Sequence, residues 1–312
     1  MLKSNNSLKL SNDLSGIILM VVNAFFMSLL YIIVKVLTNE YSFASNQVGL
    51  LYKLSILVIT LISCLKAGFI HHLKTKKLLF HALRGFFSIM GSLSMFYAVS
   101  VLHVLNAAAI SELTPAFMVI TGIVVFNEKF TKSKMIFLIG SLLGILFIKE
   151  FQNLQDNINP GYWYAFLALI FWSINNVFIK KLTKTEHSRA QLFYSSLFAS
   201  IFALPLAFFK FNLSTLSTFD ITLSKWPHFS SNALLLIISA GLASLLHKIA
   251  FFQSYKISDM SIVGSFDYLR LPFTGIFAYL ILNEGVPNKH SLIGYSLIML
   301  SGAYFIIYKD KK

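Results

Sequence analysis

Charge is what this chain has least of. Charged residues make up 12% of its 312 positions, about half the usual share of a soluble domain. With 56% hydrophobic residues and a mean hydropathy of +0.73, it carries more apolar surface than one water-soluble core can hide, which leaves lipid as the solvent for most of its exterior. Acidic residues are scarcest: 12 Asp and Glu against 26 Lys and Arg, a net charge of +14. The basic residues are spread through short loops between apolar runs rather than gathered on one face, which excludes a nucleic-acid binder. Cysteine is reduced to Cys64, so neither an intrachain disulfide nor a cysteine zinc cluster is possible. The 8 histidines contain no HExxH pair and no glycine-rich phosphate loop is present, so the rival class of membrane-embedded enzyme lacks a catalytic constellation. A passive channel would need a ring of like residues or a filter. No cofactor or metal is expected.

What is there is a series of apolar runs near the roughly 20 residues a helix needs to cross a bilayer. Ten are expected to be transmembrane helices: 15–37, 48–65, 79–101, 107–126, 135–148, 161–179, 191–209, 233–254, 261–282 and 291–308. The first lies behind Lys3 and Lys9 as a signal peptide would, but it is too long and is followed by Thr38, Asn39 and Glu40 rather than a small-residue cleavage site, so it is read as a retained span. Lys and Arg concentrate in alternate loops, leaving the opposite set with Lys149, Lys210, Lys225 and Lys289. That asymmetry predicts cytoplasmic termini and an outer loop over 211–232.

The chain repeats itself. One constant offset pairs Gly16 with Gly161, Phe26 with Phe171, Ser28 with Ser173 and Lys35 with Lys180, and a slightly longer one pairs Asn127-Glu128 with Asn283-Glu284. The expected fold is therefore all-α, with ten transmembrane helices as two five-helix repeats, residues 12–148 and 161–308. An odd helix count per repeat inverts the second copy relative to the first, the plan of many secondary transporters, whose substrate sits at the midplane.

Several stretches resemble the drug/metabolite transporter superfamily, in particular its ten-helix EamA-type members. They are Leu83-Arg84-Gly85, Phe96-Tyr97-Ala98, Leu113-Thr114-Pro115-Ala116-Phe117 and Asn127-Glu128-Lys129, with Asn283-Glu284 and Leu292-Ile293-Gly294 echoing them in the second repeat. The resemblance implies alternating-access transport through a central cavity lined by the third, fourth, eighth and ninth helices and parts of the first and sixth. The sequence departs from the pattern at Tyr268-Leu269-Arg270-Leu271-Pro272, where a plainer apolar-Pro motif would be expected. The Leu83-Arg84-Gly85 opening also resembles that of the S-adenosylmethionine transporters of obligate intracellular bacteria, and a composition with three arginines, Arg84, Arg189 and Arg270, among many lysines is one an AT-rich genome tends to encode.

Charged groups left inside spans are Lys35, Lys53, Arg84, Glu112, Lys248, Asp267 and Arg270. Each costs about 2.5 to 3.5 kcal/mol at a lipid-facing helix centre, so they are expected to face the interior. Glu112 and Asp267 superimpose across the repeat, and a carboxylate out of water can exchange a proton near neutral pH; the alternative is that both neutralise neighbouring cations. Asp267 and Arg270 are three apart and share a helix face. They form either a pair that a zwitterionic substrate opens or a permanent salt bridge. Arg84, Lys35 and Lys53 lie near helix ends, where long side chains snorkel, with anion steering as the other role for Arg84; Lys248 beside His247 is a cavity candidate. Tyr31, Trp172 and Asn176 are candidate cavity lining, or interhelical glue. Glu128 and Glu284 are read as locks at helix ends.

Together these residues predict a secondary transporter in a bacterial inner membrane. Its partners would be the lipid bilayer and a small polar or zwitterionic metabolite, S-adenosylmethionine being one candidate, moved by proton coupling or substrate exchange. A structural membrane protein is the remaining rival, and it has no need of paired buried carboxylates.

Overall fold

The computed structural model describes residues 2–66, 73–127, 129–148, 159–182, 185–186, 188–215, 218–258 and 264–308. Its helices are α1 (Leu2–Asn39), α2 (Ser45–Lys66), α3 (Leu78–Val101), α4 (Val104–Ser111), α5 (Thr114–Phe126), α6 (Lys132–Leu146), α7 (Pro160–Leu182), α8 (Ser188–Leu206), α9 (Ser231–Ile257), α10 (Arg270–Leu282) and α11 (Lys289–Ile307), with a 3₁₀ segment, Gly264–Leu269, leading into α10. Six described helical stretches are long and apolar enough to cross a membrane, among them Asp13–Asn39, Val104–Val125 and Ser231–Ser254. Val124, Leu280 and Leu300 are 72%, 67% and 68% exposed; such side chains are an aggregation hazard in water and at ease in lipid.

Two expected spans are interrupted, each near a proline. The fourth divides into α4 and α5 at Glu112 and Leu113. Pro115 has no amide to give the Ser111 carbonyl four residues back, and the Thr114 hydroxyl takes that carbonyl instead at 2.6 Å. The ninth starts as the 3₁₀ segment and becomes α10 only at Arg270; its residues 261–263 lie outside those described. Both α5 and α10 end on an asparagine with positive φ, Asn127 and Asn283, each at 52°, a backbone region that asparagine tolerates better than most residues.

The chain forms two compact units. The first contains residues 1–32, 103–158 and 243–312. Within it α6 packs on α11 and α4 on α10. The α6–α11 contact depends on small residues: a Cβ on Gly294 would stand 2.4 Å from the Gly144 carbonyl oxygen, and one on Gly140 would stand 2.6 Å from Ser301 Cβ. Close backbone approach of this kind is how helices associate where lipid removes the hydrophobic drive. Phe137 and Phe305 stack beside it, centroids 4.8 Å apart.

The second unit contains residues 33–102 and 159–242, built around α3 packed on α7 and α8, with α2 on α8. Leu50, Ile89, Ala199 and Ala203 form its core, and Gly85 lies against Phe198. The region read as an outer loop is not purely a loop: Phe209–Thr215 and Thr218–Leu223 form an antiparallel hairpin with Phe209 opposite Leu223. Alternating Phe, Thr and Ile favour strand over helix here. Gln47 anchors its far end, its Nε2 donating to Ser224 Oγ at 2.9 Å. The fold is thus helical with one small hairpin added.

Candidate functional site

The first unit gathers the in-span charges predicted to matter most. Asp267 lies in the 3₁₀ segment and Arg270 opens α10. A 3₁₀ turn stacks residues i and i+3 directly over one another, and Arg270 Nη2 donates to Asp267 Oδ2 at 2.9 Å. The break between α4 and α5 brings Glu112 to the other side of the same guanidinium, with Oε1 3.2 Å from Arg270 Nε. One arginine is therefore held between two carboxylates. Glu112 is 2% exposed, which leaves water little part in screening the cluster.

α1 supports this cluster from a third direction. Asn23 Nδ2 donates to Asp267 Oδ1 at 2.7 Å, and because that contact fixes the amide's orientation, Asn23 Oδ1 is the atom facing His247 Nδ1 of α9 at 3.1 Å. Ser28 Oγ donates to the Arg270 carbonyl at 3.0 Å and accepts from Thr274 Oγ1 at the same distance, pinning the first turn of α10. Tyr31 is wholly buried beside Arg270 and Ser111. Its hydroxyl converges on the same cluster, where Glu112 Oε1 and Arg270 Nε face one another as an ion pair.

Tyr31, Glu112, Asp267 and Arg270 are thus assembled in one place. Lys248 belongs to the same unit, half-buried one residue beyond His247. Arg84, Trp172 and Asn176 belong to the second unit. Arg84 does not snorkel: it is 5% exposed, and its Nη1 donates to the Gln191 carbonyl at 2.9 Å and to Gln191 Oε1 at 3.2 Å, tying α3 to α8. Trp172 lies against Gly91, where a Cβ would stand 2.5 Å from its ring. Asn176 is half-buried on α7. Lys53 is also no snorkeler, being 2% exposed, with its ammonium on Ser88 Oγ at 3.0 Å and over the Tyr52 ring. Lys35 binds the last carbonyls of α3, Ser100 at 3.2 Å and Leu102 at 2.5 Å, which a helix C-terminus leaves unpaired. Glu284 locks a helix end as expected, accepting from the Val104 amide at 2.9 Å; Glu128 lies outside the described residues.

Asn23, Ser28 and His247 are the site residues that sequence reasoning missed. An amide in the middle of the longest apolar run was a usable signal at Asn23, because such a group needs a partner inside the bundle.

Known proteins resemble this chain in sequence and in fold. The sequence pattern of the EamA-like transporter family matches residues 14–149 and again 159–308. The S-adenosylmethionine uptake transporter of Rickettsia prowazekii (strain Madrid E) is 26% identical over 240 residues, 77% of this chain and 75% of that one. The riboflavin transporter of Vibrio cholerae serotype O1 is 24% identical over 285 residues, 89% of this chain and 90% of its own. A crystal structure 14% identical in sequence, with a TM-score of 0.63, aligns over 97% of this chain and all of that one, a likeness of fold. With the family pattern spanning nearly the whole sequence and its relatives named as transporters, the chain belongs to the EamA-like transporter family, within the drug/metabolite transporter superfamily, and is a multi-pass membrane transport protein rather than an enzyme.

Proposed function

We propose that this chain is a secondary transporter that takes up a small metabolite with net positive charge, S-adenosylmethionine being the first candidate, across a bacterial inner membrane by alternating access. The observation that carries the reading is the charge balance around Arg270: two carboxylates, Glu112 and Asp267, contact one guanidinium, an excess of negative charge suited to a cation. The sulfonium and ammonium of S-adenosylmethionine would answer the carboxylates and its carboxylate would answer the arginine, whose planar fork suits that group. The buried Tyr31 hydroxyl beside this cluster offers a polar ligand a further contact. Relatives named for S-adenosylmethionine uptake support the substrate. Trp172, Asn176 and Arg84 stand outside this part of the proposal, which rests on the first unit; Lys248 is kept as a cavity residue beside His247.

Counterflow into proteoliposomes tests the reading. Liposomes loaded with unlabelled S-adenosylmethionine should draw in labelled S-adenosylmethionine and not riboflavin; exchange of riboflavin with none of the sulfonium compound would sink it. In this scheme Glu112 carries the coupling charge. Glu112→Gln leaves Arg270 and Asp267 as a balanced pair, so the protein should fold and keep a measurable exchange of the cation at weakened affinity, while losing gradient-driven accumulation. Unimpaired accumulation would remove Glu112 from coupling.

The proposal includes the two inverted repeats, 12–148 and 161–308, and cytoplasmic termini. Gly285 is exposed, with nothing within 4 Å of an added Cβ, so Gly285→Cys in a Cys64→Ala background should be harmless. A membrane-impermeant thiol reagent should label it from outside intact cells. Labelling only in inverted vesicles would reverse the orientation.

A further inference from the structure

The far end of α4 is fastened as tightly as the end that carries Glu112. After Asn283 turns the chain, the Glu284 amide donates back to the Ala278 carbonyl at 3.1 Å, so the backbone sets where the Glu284 side chain departs. Its Oε2 meets two groups: the Val104 amide that opens α4 and, at 3.0 Å, His103 Nδ1. The other ring nitrogen, His103 Nε2, lies 3.2 Å from the Gly285 carbonyl oxygen. An ionised carboxylate and a carbonyl can only accept, and a neutral imidazole carries a single N–H. Both contacts are hydrogen bonds together only when His103 is an imidazolium. His103 precedes α4 without capping it through its own side chain; Glu284 provides the cap from the α10–α11 turn, with its charge near the positive end of the helix. Tyr295 of α11 adds a hydrogen bond to Asn106.

The geometry points to His103 as a positioning residue whose proton sets how tightly the start of α4 is held. With the imidazolium present, α4 is tied to the α10–α11 region at both ends, through His103 with Glu284 and through Glu112 with Arg270. When the proton leaves, a nitrogen lone pair faces an acceptor, that attraction turns to repulsion, and the start of α4 keeps only the Glu284 cap on the Val104 amide and the Tyr295 bond to Asn106. His103 thereby links the external proton concentration to the placement of Glu112. This rests on the reading of Glu112 as part of the transport site. The charged or titratable groups on the surrounding elements are Glu284 on the turn, Lys289 and His290 at the exposed start of α11, Tyr295 further along it, and Lys35, whose ammonium binds the Leu102 carbonyl just before His103; α4 carries none before Glu112. The folded latch binds the proton more tightly than the open chain does, so its stabilisation is full at low pH and lost as pH rises through the imidazole range.

The test is thermal unfolding of the full-length purified chain in detergent at about pH 5.5 and about pH 8.5, on either side of the imidazole range, a readout that needs no substrate. His103→Gln and Glu284→Gln should each lower Tm by about 2 to 4 °C at the lower pH, with no further loss in the double variant, and the His103→Gln loss should disappear at the higher pH. His103→Arg, charged throughout, should match the wild type at low pH and exceed it at high pH. A His103→Gln loss of equal size at both pH values, or none at either, would overturn the latch. A chain that melts as expected yet exchanges no cation keeps the latch and loses the transport reading, and cation exchange without pH-dependent melting does the reverse.

Discussion

Arg270→Gln should abolish transport and cost the protein about 3 to 5 kcal/mol, because it strands the buried Glu112 carboxylate and leaves the half-buried Asp267 unpaired beside it. Asp267 would keep its hydrogen bond from Asn23, but Glu112, 2% exposed, would lose the cation it contacts and sit near a second like charge. The contrast with Glu112→Gln decides whether charge balance or mere packing is at stake: both changes substitute an amide for an ion of the same cluster, yet one leaves a neutral pair and the other an uncompensated pair of acids. Melting temperature and counterflow should separate them clearly, with the arginine variant poorly folded and the glutamate variant folded like the wild type with weakened exchange. Restoring neutrality with Arg270→Gln, Asp267→Asn and Glu112→Gln together should recover folding without transport. A wild-type melting temperature for Arg270→Gln would show that the cluster does not hold these helices. Exchanging Asp267 and Arg270 is a poorer test than their spacing suggests, since a carboxylate at 270 would face Glu112 across 3.2 Å.

Gly302→Ala should be nearly as damaging, although it adds one methyl group more than thirty residues along the sequence from Arg270. A Cβ there would stand 1.8 Å from the Tyr268 hydroxyl oxygen and 1.9 Å from its Cζ, and Tyr268 is buried at 4% exposure. The ring has to leave. Overpacking in a filled core costs about 1 to 3 kcal/mol or more, and here the displaced residue lies between Asp267 and Arg270, so the 3₁₀ segment that aligns them moves as well. Tyr268→Phe should not rescue the variant, because Cζ still collides, whereas Tyr268→Ala should restore much of its stability. A Gly302→Ala protein with unchanged melting temperature and unchanged exchange would refute the close packing of α11 on this segment.

Much of the site was legible before any coordinates. The three-residue spacing of Asp267 and Arg270 was enough to pair them, since any helical turn brings such residues onto one face. The breaks beside Pro115 and Pro272 were not foreseen, since both expected spans run through them, although proline lacks the amide that continues a helix. Reading Arg84 and Lys53 as snorkelers failed for a common reason: distance from a helix end is written in the sequence, but the neighbouring helix that covers the side chain is not. Gln191 and Ser88 supply those contacts, and no periodicity in α3 or α8 announces them.

The sequence by itself determined that this chain lives in a membrane, that its helices are long and apolar, and that a few charges inside them must face inward; these follow from the cost of exposing polar groups to lipid, which depends on composition and spacing alone. Only the tertiary structure decided which charges meet. That Glu112 shares an arginine with Asp267, that Asn23 connects Asp267 to His247, and that His103 is caught between a carboxylate and a carbonyl are all contacts between segments far apart in the chain. They exist because helix packing, through close contacts such as Gly144 on Gly294 and Gly302 under Tyr268, brings those side chains within a few ångströms of one another, and the strength and sign of an electrostatic interaction depend on that distance and on the exclusion of water.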